Sequence, residues 1–158
     1  MAREPGSLVV CTCSTLGGCA ERANEDRPGV AMRIDWPMAE RAVLLGQRIL
    51  IAATLESTLE PTHSLVEDAA RSAGREIRTR ALLCDGAWAH FERGDAEGYH
   101  RAIAQALRQG VRDTDTDVVV LAQASMAPAA ALCAHLSAPV LSSPRLGIAQ
   151  ALARYRSR

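Results

Sequence analysis

The sequence contains no lysine: all 18 of its basic residues are arginine. That excludes a Schiff base to a carbonyl substrate, covalent attachment of pyridoxal phosphate and the lysine of a P-loop. No Gly-x-Gly-x-x-Gly stretch opens a helix, so a dinucleotide fingerprint is also missing. Aromatic residues make up only 3% of the chain, too few for base-stacking platforms, and the 18 arginines are balanced by 18 acidic residues with no basic block. Nucleic acid is therefore not an expected partner. No apolar run approaches the length of a bilayer span, and the first residues lack the charged and apolar regions of a signal peptide. A membrane is not an expected partner either, and a cytoplasmic setting is the expectation. Cysteine is present, but five scattered residues, an odd number, do not form a disulfide framework and read as reduced thiols.

What remains is ordinary globular material: 158 residues, 48% hydrophobic and 23% charged, enough for one substantial core or two small lobes sharing one. A pattern occurs twice. Val9-Val10-Cys11-Thr12-Cys13-Ser14-Thr15 has a counterpart 110 residues later in Val119-Val120-Leu121-Ala122-Gln123-Ala124-Ser125. Each is an apolar run ending in a thiol or an amide, then small hydroxyl residues. Each is followed by a short strand led by a proline (Pro28, Pro139) and by a second proline opening an Ala-rich helix (Pro37, Pro144). Two related half-sites imply a cleft between similar lobes, and the exchange of Cys for Gln implies asymmetric chemistry.

Strand and helix patterns alternate along the whole chain. Apolar runs predict strands at 8–13, buried on both faces, and at 30–34, 49–53, 117–122 and 139–141. The alternation of Ile77, Thr79, Ala81 and Leu83 with Arg78 and Arg80 predicts a strand nearer a sheet edge at 76–83. Asp35 is positioned to cap a helix reaching Leu45, with Pro37 in its first turn and Gly46 as its stop. Ser57-Thr58-Leu59-Glu60 has capping-box spacing before a helix to Ala73, stopped by Gly74. A short helix spans about 86–92, Asp95 caps a longer one ending at Gln109–Gly110, and helices follow over 126–136 and from Pro144. Right-handed crossovers then give an α/β fold with parallel sheets.

Four strands end in small polar residues: Cys13-Ser14-Thr15, Thr54 to Ser57-Thr58, Gln123-Ala124-Ser125 and Ser142-Ser143. Ligands in open parallel sheets bind at the carboxyl ends of the strands, where helix N-termini offer free N–H groups. Such a place suits a small carboxylic acid held by hydroxyls and amides. Taken singly, Ser57, Ser125 and Ser143 read first as helix caps, and the ligand-binding reading comes from the four ends converging. Cys11, Cys84 and Cys133 read as small buried hydrophobes. Cys13 lies where the strand stops and a helix begins, a setting that favours a reactive thiolate able to move an α-proton or attack carbon. Cys11 and Cys13 with Cys19 offer a metal alternative, weak without a second paired cluster, and no metal site is assigned. His63, His90 and His100 read as solvated helix residues and His135 as partly buried.

Those strand ends resemble, in order, the motifs of the aspartate/glutamate/hydantoin racemase superfamily. Cys13-Ser14-Thr15 is similar to its first cysteine motif, and Ala52-Ala53-Thr54-Leu55-Glu56-Ser57-Thr58 to the opening of its second lobe. Leu121 to Met126 is similar to its second cysteine motif, and Pro139 to Pro144 to its last strand before the closing helix. The resemblance implies two pseudo-symmetric Rossmann-like lobes. Residues 1–46 would form a partial first lobe, completed by the C-terminal helix 144–158, and residues 47–143 a complete second lobe. Family members carry two further strands before the first motif, which implies a truncated first lobe here and makes a homo-oligomer a candidate assembly. They are cofactor-independent enzymes acting on carbon acids, and their racemases place one cysteine on each side of the substrate. With Gln123 in the second position, the resemblance implies single-cysteine chemistry of racemase, isomerase or decarboxylase type on a small carboxylic acid. Cys13 would be the acid–base group or nucleophile and Gln123 an orienting donor. Ser14, Thr15, Thr54, Ser57, Thr58, Ser125, Ser142 and Ser143 would be the substrate contacts. The competing reading is a degenerate relative that binds a carboxylate without turnover.

Overall fold

The structure, a computed structural model, describes residues 7–157; positions 1–6 and 158 of the two expected end segments lie outside that range. Among the described residues six strands are formed: β1 (Val9–Cys11), β2 (Ala31–Arg33), β3 (Arg48–Ala53), β4 (Arg78–Leu83), β5 (Val118–Leu121) and β6 (Val140–Ser142). Six α-helices accompany them: α1 (Gly17–Asp26), α2 (Trp36–Leu45), α3 (Leu59–Ser72), α4 (Ala87–Glu92), α5 (Ala96–Asp113) and α6 (Ser143–Arg156). Three 3-10 segments lie at Ser14–Leu16, Glu56–Thr58 and Ala124–Cys133.

Every strand pairing is parallel, giving a two-stranded sheet β1-β2 and a four-stranded sheet in the order β4-β3-β5-β6. The α/β class and the parallel sheets expected from the sequence are both present. The central strands β3 and β5 consist almost wholly of buried aliphatic residues, because both faces of this sheet are covered. Strand periodicity divides them. Leu50, Ala52, Val119 and Leu121 face α5 through Tyr99, Ile103, Ala104 and Leu107, and the Ala124–Cys133 segment through Met126 and Ala129. Ile49, Ile51, Ala53, Val118, Val120 and Ala122 face α2 and α3 through Met38, Ala42, Val43, Leu65, Val66 and Ala69. A fully buried residue of this kind contributes about 1.5–3 kcal/mol, so this three-layer unit holds most of the hydrophobic stabilisation. No helix among the described residues is long and apolar enough to cross a membrane.

Local details depart from the sequence reading at several points. β1 is three residues long and not buried on both faces: it pairs only with β2 among the described residues, and Val9 stays 40% exposed. β4 is an edge strand as expected, but Leu82 turns toward the α5 face while Leu83 is exposed, which breaks the expected alternation. Asp35 does not cap α2; both of its oxygens accept from the Arg33 guanidinium, at 2.9 and 3.1 Å. The capping box at Ser57 does not form. Residues 56–58 make a 3-10 turn, and Thr58 gives its proton to the carbonyl of Leu55 at 2.8 Å. Gly110 does not stop α5, which continues to Asp113. Its missing side chain instead lets the helix lie on the sheet, where a Cβ would stand 2.8 Å from Leu82. The expected α-helix over 126–136 is a 3-10 segment that starts at Ala124, so Pro128 falls inside it, where its missing N–H breaks an α-helical ladder. Asp95 caps α5 as expected, accepting from Gly98 N–H at 2.8 Å, and Gly74 ends α3 at φ +62°.

Candidate active site

At the carboxyl edge of the four-stranded sheet the backbone ladder runs out. The last rungs are Cys84 N–H to the Ala53 carbonyl and Ala122 N–H to the Ala52 carbonyl, at 2.8 and 2.9 Å. Beyond them each helical turn is entered from one extended residue. Leu55 (φ −126°, ψ 125°) precedes 56–58, Gln123 (φ −123°, ψ 138°) precedes 124–133, and Ser142 (φ −137°, ψ 151°) precedes α6. In the other sheet Cys13 (φ −104°, ψ 119°) does the same before 14–16 and α1. The four strand-to-helix junctions read from the sequence thus share one backbone design.

Past the last rung, the N–H groups of Thr54 and Leu55 need an acceptor that the sheet no longer supplies. Gln123 provides it. Its Oε1 accepts from Thr54 N–H at 2.7 Å, the Thr54 hydroxyl at 3.0 Å and Leu55 N–H at 3.3 Å, with Thr58 Oγ1 at 3.5 Å. Backbone N–H groups can only donate, so the oxygen of the amide must lie there and Nε2 must point away. Nε2 makes no hydrogen bond among the described residues.

The oxygen of Gln123 also orders a chain of hydroxyls behind it. Thr54 Oγ1 lies 3.2 Å from the Tyr99 hydroxyl, which lies 2.9 Å from Ser125 Oγ. Because Gln123 Oε1 can only accept, Thr54 donates to it, Tyr99 donates to Thr54, and Ser125 donates to Tyr99. Tyr99 is 1% exposed, and its ring packs against Phe91 with centroids 5.2 Å apart. The sequence reading missed Tyr99. On α5 it falls on the apolar face with Ile103 and Leu107, and only its hydroxyl among those side chains hints at a polar partner. His100 is not simply solvated: its Nε2 lies 3.3 Å from the Ser125 carbonyl. His90 is held at 2.7 Å by Asp95, whose carboxyl lies below its usual range, chiefly through the Gly98 N–H bond and then through His90.

Cys13 lies exposed at the tip of its junction. The next residue, Ser14, donates to the Ala122 carbonyl at 3.4 Å, which seats this loop beside the strand end that leads to Gln123. Cys11 is only partly buried and turns its thiol toward the Cys13 carbonyl at 3.4 Å. Cys84 and Cys133 are buried as expected; desolvation pushes the Cys84 thiol up to about 12 and raises Cys133 as well. Thr15 and Ser57 are exposed, and their side chains make no hydrogen bond among the described residues. Ser142 pairs in register with Leu121 on β5, and Ser143 is buried at the start of α6. The structure therefore brings Thr54, Thr58, Ser125 and Gln123 into one network and Ser14 against it, while Thr15 and Ser57 stand outside. A cavity of about 520 Å³ lies elsewhere. It is lined by Met32, Arg33, Trp36, Arg71, Gln150 and Arg154 among others, and by neither Cys13 nor Gln123.

No protein-family model matches the sequence, and no curated protein does. Solved structures do. Glutamate racemase isoform RacE1 from Bacillus anthracis superposes with a TM-score of 0.67 over 96% of this chain and 59% of that one, at 15% identity. Allantoin racemase from Pseudomonas fluorescens superposes with a TM-score of 0.52 over 78% of this chain and 52% of that one, at 25% identity. The chain thus spans little more than half the length of either enzyme. With its parallel sheets and repeated strand-to-helix junctions, it carries the fold of the aspartate/glutamate/hydantoin racemase superfamily, to which both structural neighbours belong.

Proposed function

We propose that this chain is a cofactor-independent enzyme of racemase, isomerase or decarboxylase type, acting on a small carboxylic acid with Cys13 as its one reactive thiol. In the simplest form, the Cys13 thiolate removes a proton from the α-carbon. The C–H electron pair moves into the carboxyl group as an enediolate, and the proton returns from the thiol or from solvent. Gln123 Nε2 and the Ser14–Thr15 turn donate to the oxygens on which that charge develops. Three of the other thiols are poor competitors for this role: Cys84 and Cys133 are buried with raised pKa values, and the Cys11 thiol faces a carbonyl; Cys19 is exposed but lies on α1, away from the strand end, with its sulfur accepting from Arg22 at 3.1 Å. The observation that carries the reading is the Ser14 to Ala122 hydrogen bond, which joins the exposed Cys13 loop to the strand end holding Gln123. We extend the proposal to the layout: residues 1–46 with the C-terminal helix 144–158 as a partial first lobe, and 47–143 as the second.

One observation favours the degenerate, binding-only reading. The oxygen of Gln123 already satisfies the donors of the second half-site, which are then not free for a substrate. Incubation in deuterated water with a panel of α-substituted and malonate-type acids separates the two. The enzyme reading expects deuterium at the α-carbon, or carbon dioxide release, lost in Cys13→Ala and kept in Cys11→Ala. Equal turnover in both variants removes Cys13 from the chemistry, and saturable binding with no turnover in the wild type establishes the degenerate reading.

A further inference from the structure

The donors gathered around Gln123 Oε1 form an oxyanion cradle with its own occupant. Two consecutive N–H groups and the Thr54 hydroxyl converge on one oxygen within 2.7–3.3 Å, at a place where the sheet ladder has ended and a helical turn begins. An amide oxygen has two lone pairs, fewer than the donors presented; a carboxylate oxygen carries more charge and accepts such a cluster better. Thr54 is 6% exposed and backed by the Tyr99 and Ser125 hydroxyls, so the cradle is built before any ligand arrives. The occupant is tethered: Gln123 is the second residue after β5, the strand next to β3, and its Oε1 is delivered by the side chain's own length.

We propose that Gln123 is a specificity-determining residue that stands in for a ligand carboxylate. Its side-chain carbonyl keeps the Thr54–Leu55 cradle filled, so the site takes acids bearing one carboxylate and excludes those that need a second one held there. The single carboxylate of the ligand is held by the Ser14–Thr15 side and by Gln123 Nε2, which the tethering of Oε1 leaves pointing away from the cradle. This inference rests on the carboxylate-site reading above, and it names the substrate class of that site: monocarboxylic acids.

Propionate and malonate differ by one carboxylate on the same three-carbon frame and serve as the probes. Titration calorimetry on the whole chain is expected to show wild type binding propionate at least about tenfold more tightly than malonate. Gln123→Ala is expected to reverse that order by gaining at least about tenfold in malonate affinity, and formate should raise its melting temperature without raising that of the wild type. Gln123→Glu refills the cradle with a carboxylate oxygen and is expected to gain neither malonate affinity nor a response to formate. If Gln123→Ala does not fold, the wild-type preference for propionate over malonate and the unresponsive Gln123→Glu still decide the matter. Malonate bound by wild type as tightly as propionate would overturn the plug while leaving a carboxylate site in place. Failure of wild type and both variants to bind any of the three acids would overturn the carboxylate-site reading itself, and the plug with it.

Discussion

Replacing Tyr99 with phenylalanine should loosen the site from behind without touching its surface. The ring is 1% exposed and packs tilted against Phe91, so Tyr99→Phe keeps the packing and removes only the hydroxyl. That hydroxyl joins Ser125 at 2.9 Å to Thr54 at 3.2 Å. Ser125 is half-buried and can turn to water. Thr54 is 6% exposed and loses the donor to its oxygen with little chance of replacement. Two neutral hydrogen bonds at about 0.5–1.5 kcal/mol each, one of them leaving a buried acceptor, amount to about 2 kcal/mol. In a chain of this size about 1 kcal/mol moves the melting temperature by about 2–4 °C, so a drop of about 4–8 °C is expected in a thermal scan followed by circular dichroism. The relay also predicts coupling. On a Thr54→Val background the same substitution should cost at least about 0.5 kcal/mol less, because the acceptor it strands is already gone. A loss below about 1 °C in the single variant, or strict additivity in the double, would refute the hydroxyl relay.

Three further outcomes test the scaffold around the site. Gly147 lies where a Cβ would overlap the carbonyl oxygen of Ile34, so Gly147→Ala should destabilise by about 1–3 kcal/mol in urea titration as α6 is pushed off its seat beside α2. Asp117 accepts from the Gln47 and Arg48 N–H groups at 2.9 Å and pairs with the Arg48 guanidinium, which holds its carboxyl well below the usual carboxylate range. With the folded pKa depressed, its contribution is fully present above about pH 4 and fades as the pH falls through the folded value. Asp117→Asn should therefore lower stability at pH 7 and flatten the acid limb of a pH–stability curve. Brief alkylation of the native chain followed by peptide mass spectrometry should label the exposed Cys13 and Cys19 but spare Cys84 and Cys133 until urea is added.

Much of the scaffold was legible in the sequence because the signals are local. Unbroken apolar runs at 49–53 and 117–122 read as strands, and both form strands, whereas burial on both faces was expected of 8–13 and is found instead in β3 and β5. The mixed pattern of 76–83 read as an edge strand, and Asp95 as a cap, since each depends on neighbours within a few residues. The same locality misled wherever a side chain had a distant or competing partner. Asp35 was taken from the helix end by Arg33, a 3-10 turn at 56–58 replaces the capping box expected at Ser57, and Gly110 serves packing against Leu82 rather than termination.

The identity of the candidate residues was also written in the chain, through the repeated strand-end pattern that picked out Cys13, Ser14, Thr54, Thr58, Gln123 and Ser125. How they are engaged was not. Gln123 meets Thr54 across 69 residues, Tyr99 meets Thr54 across 45 and Ser14 meets Ala122 across 108. Hydrogen bonds between residues so far apart depend on the register of β3 beside β5 and on the angle at which α5 crosses them. Periodicity along the chain fixes which residues face a neighbour; only the packed sheet and helices decide which donor finds which acceptor, and so turned an amide expected to serve a ligand through its nitrogen into one whose oxygen already holds the loop opposite.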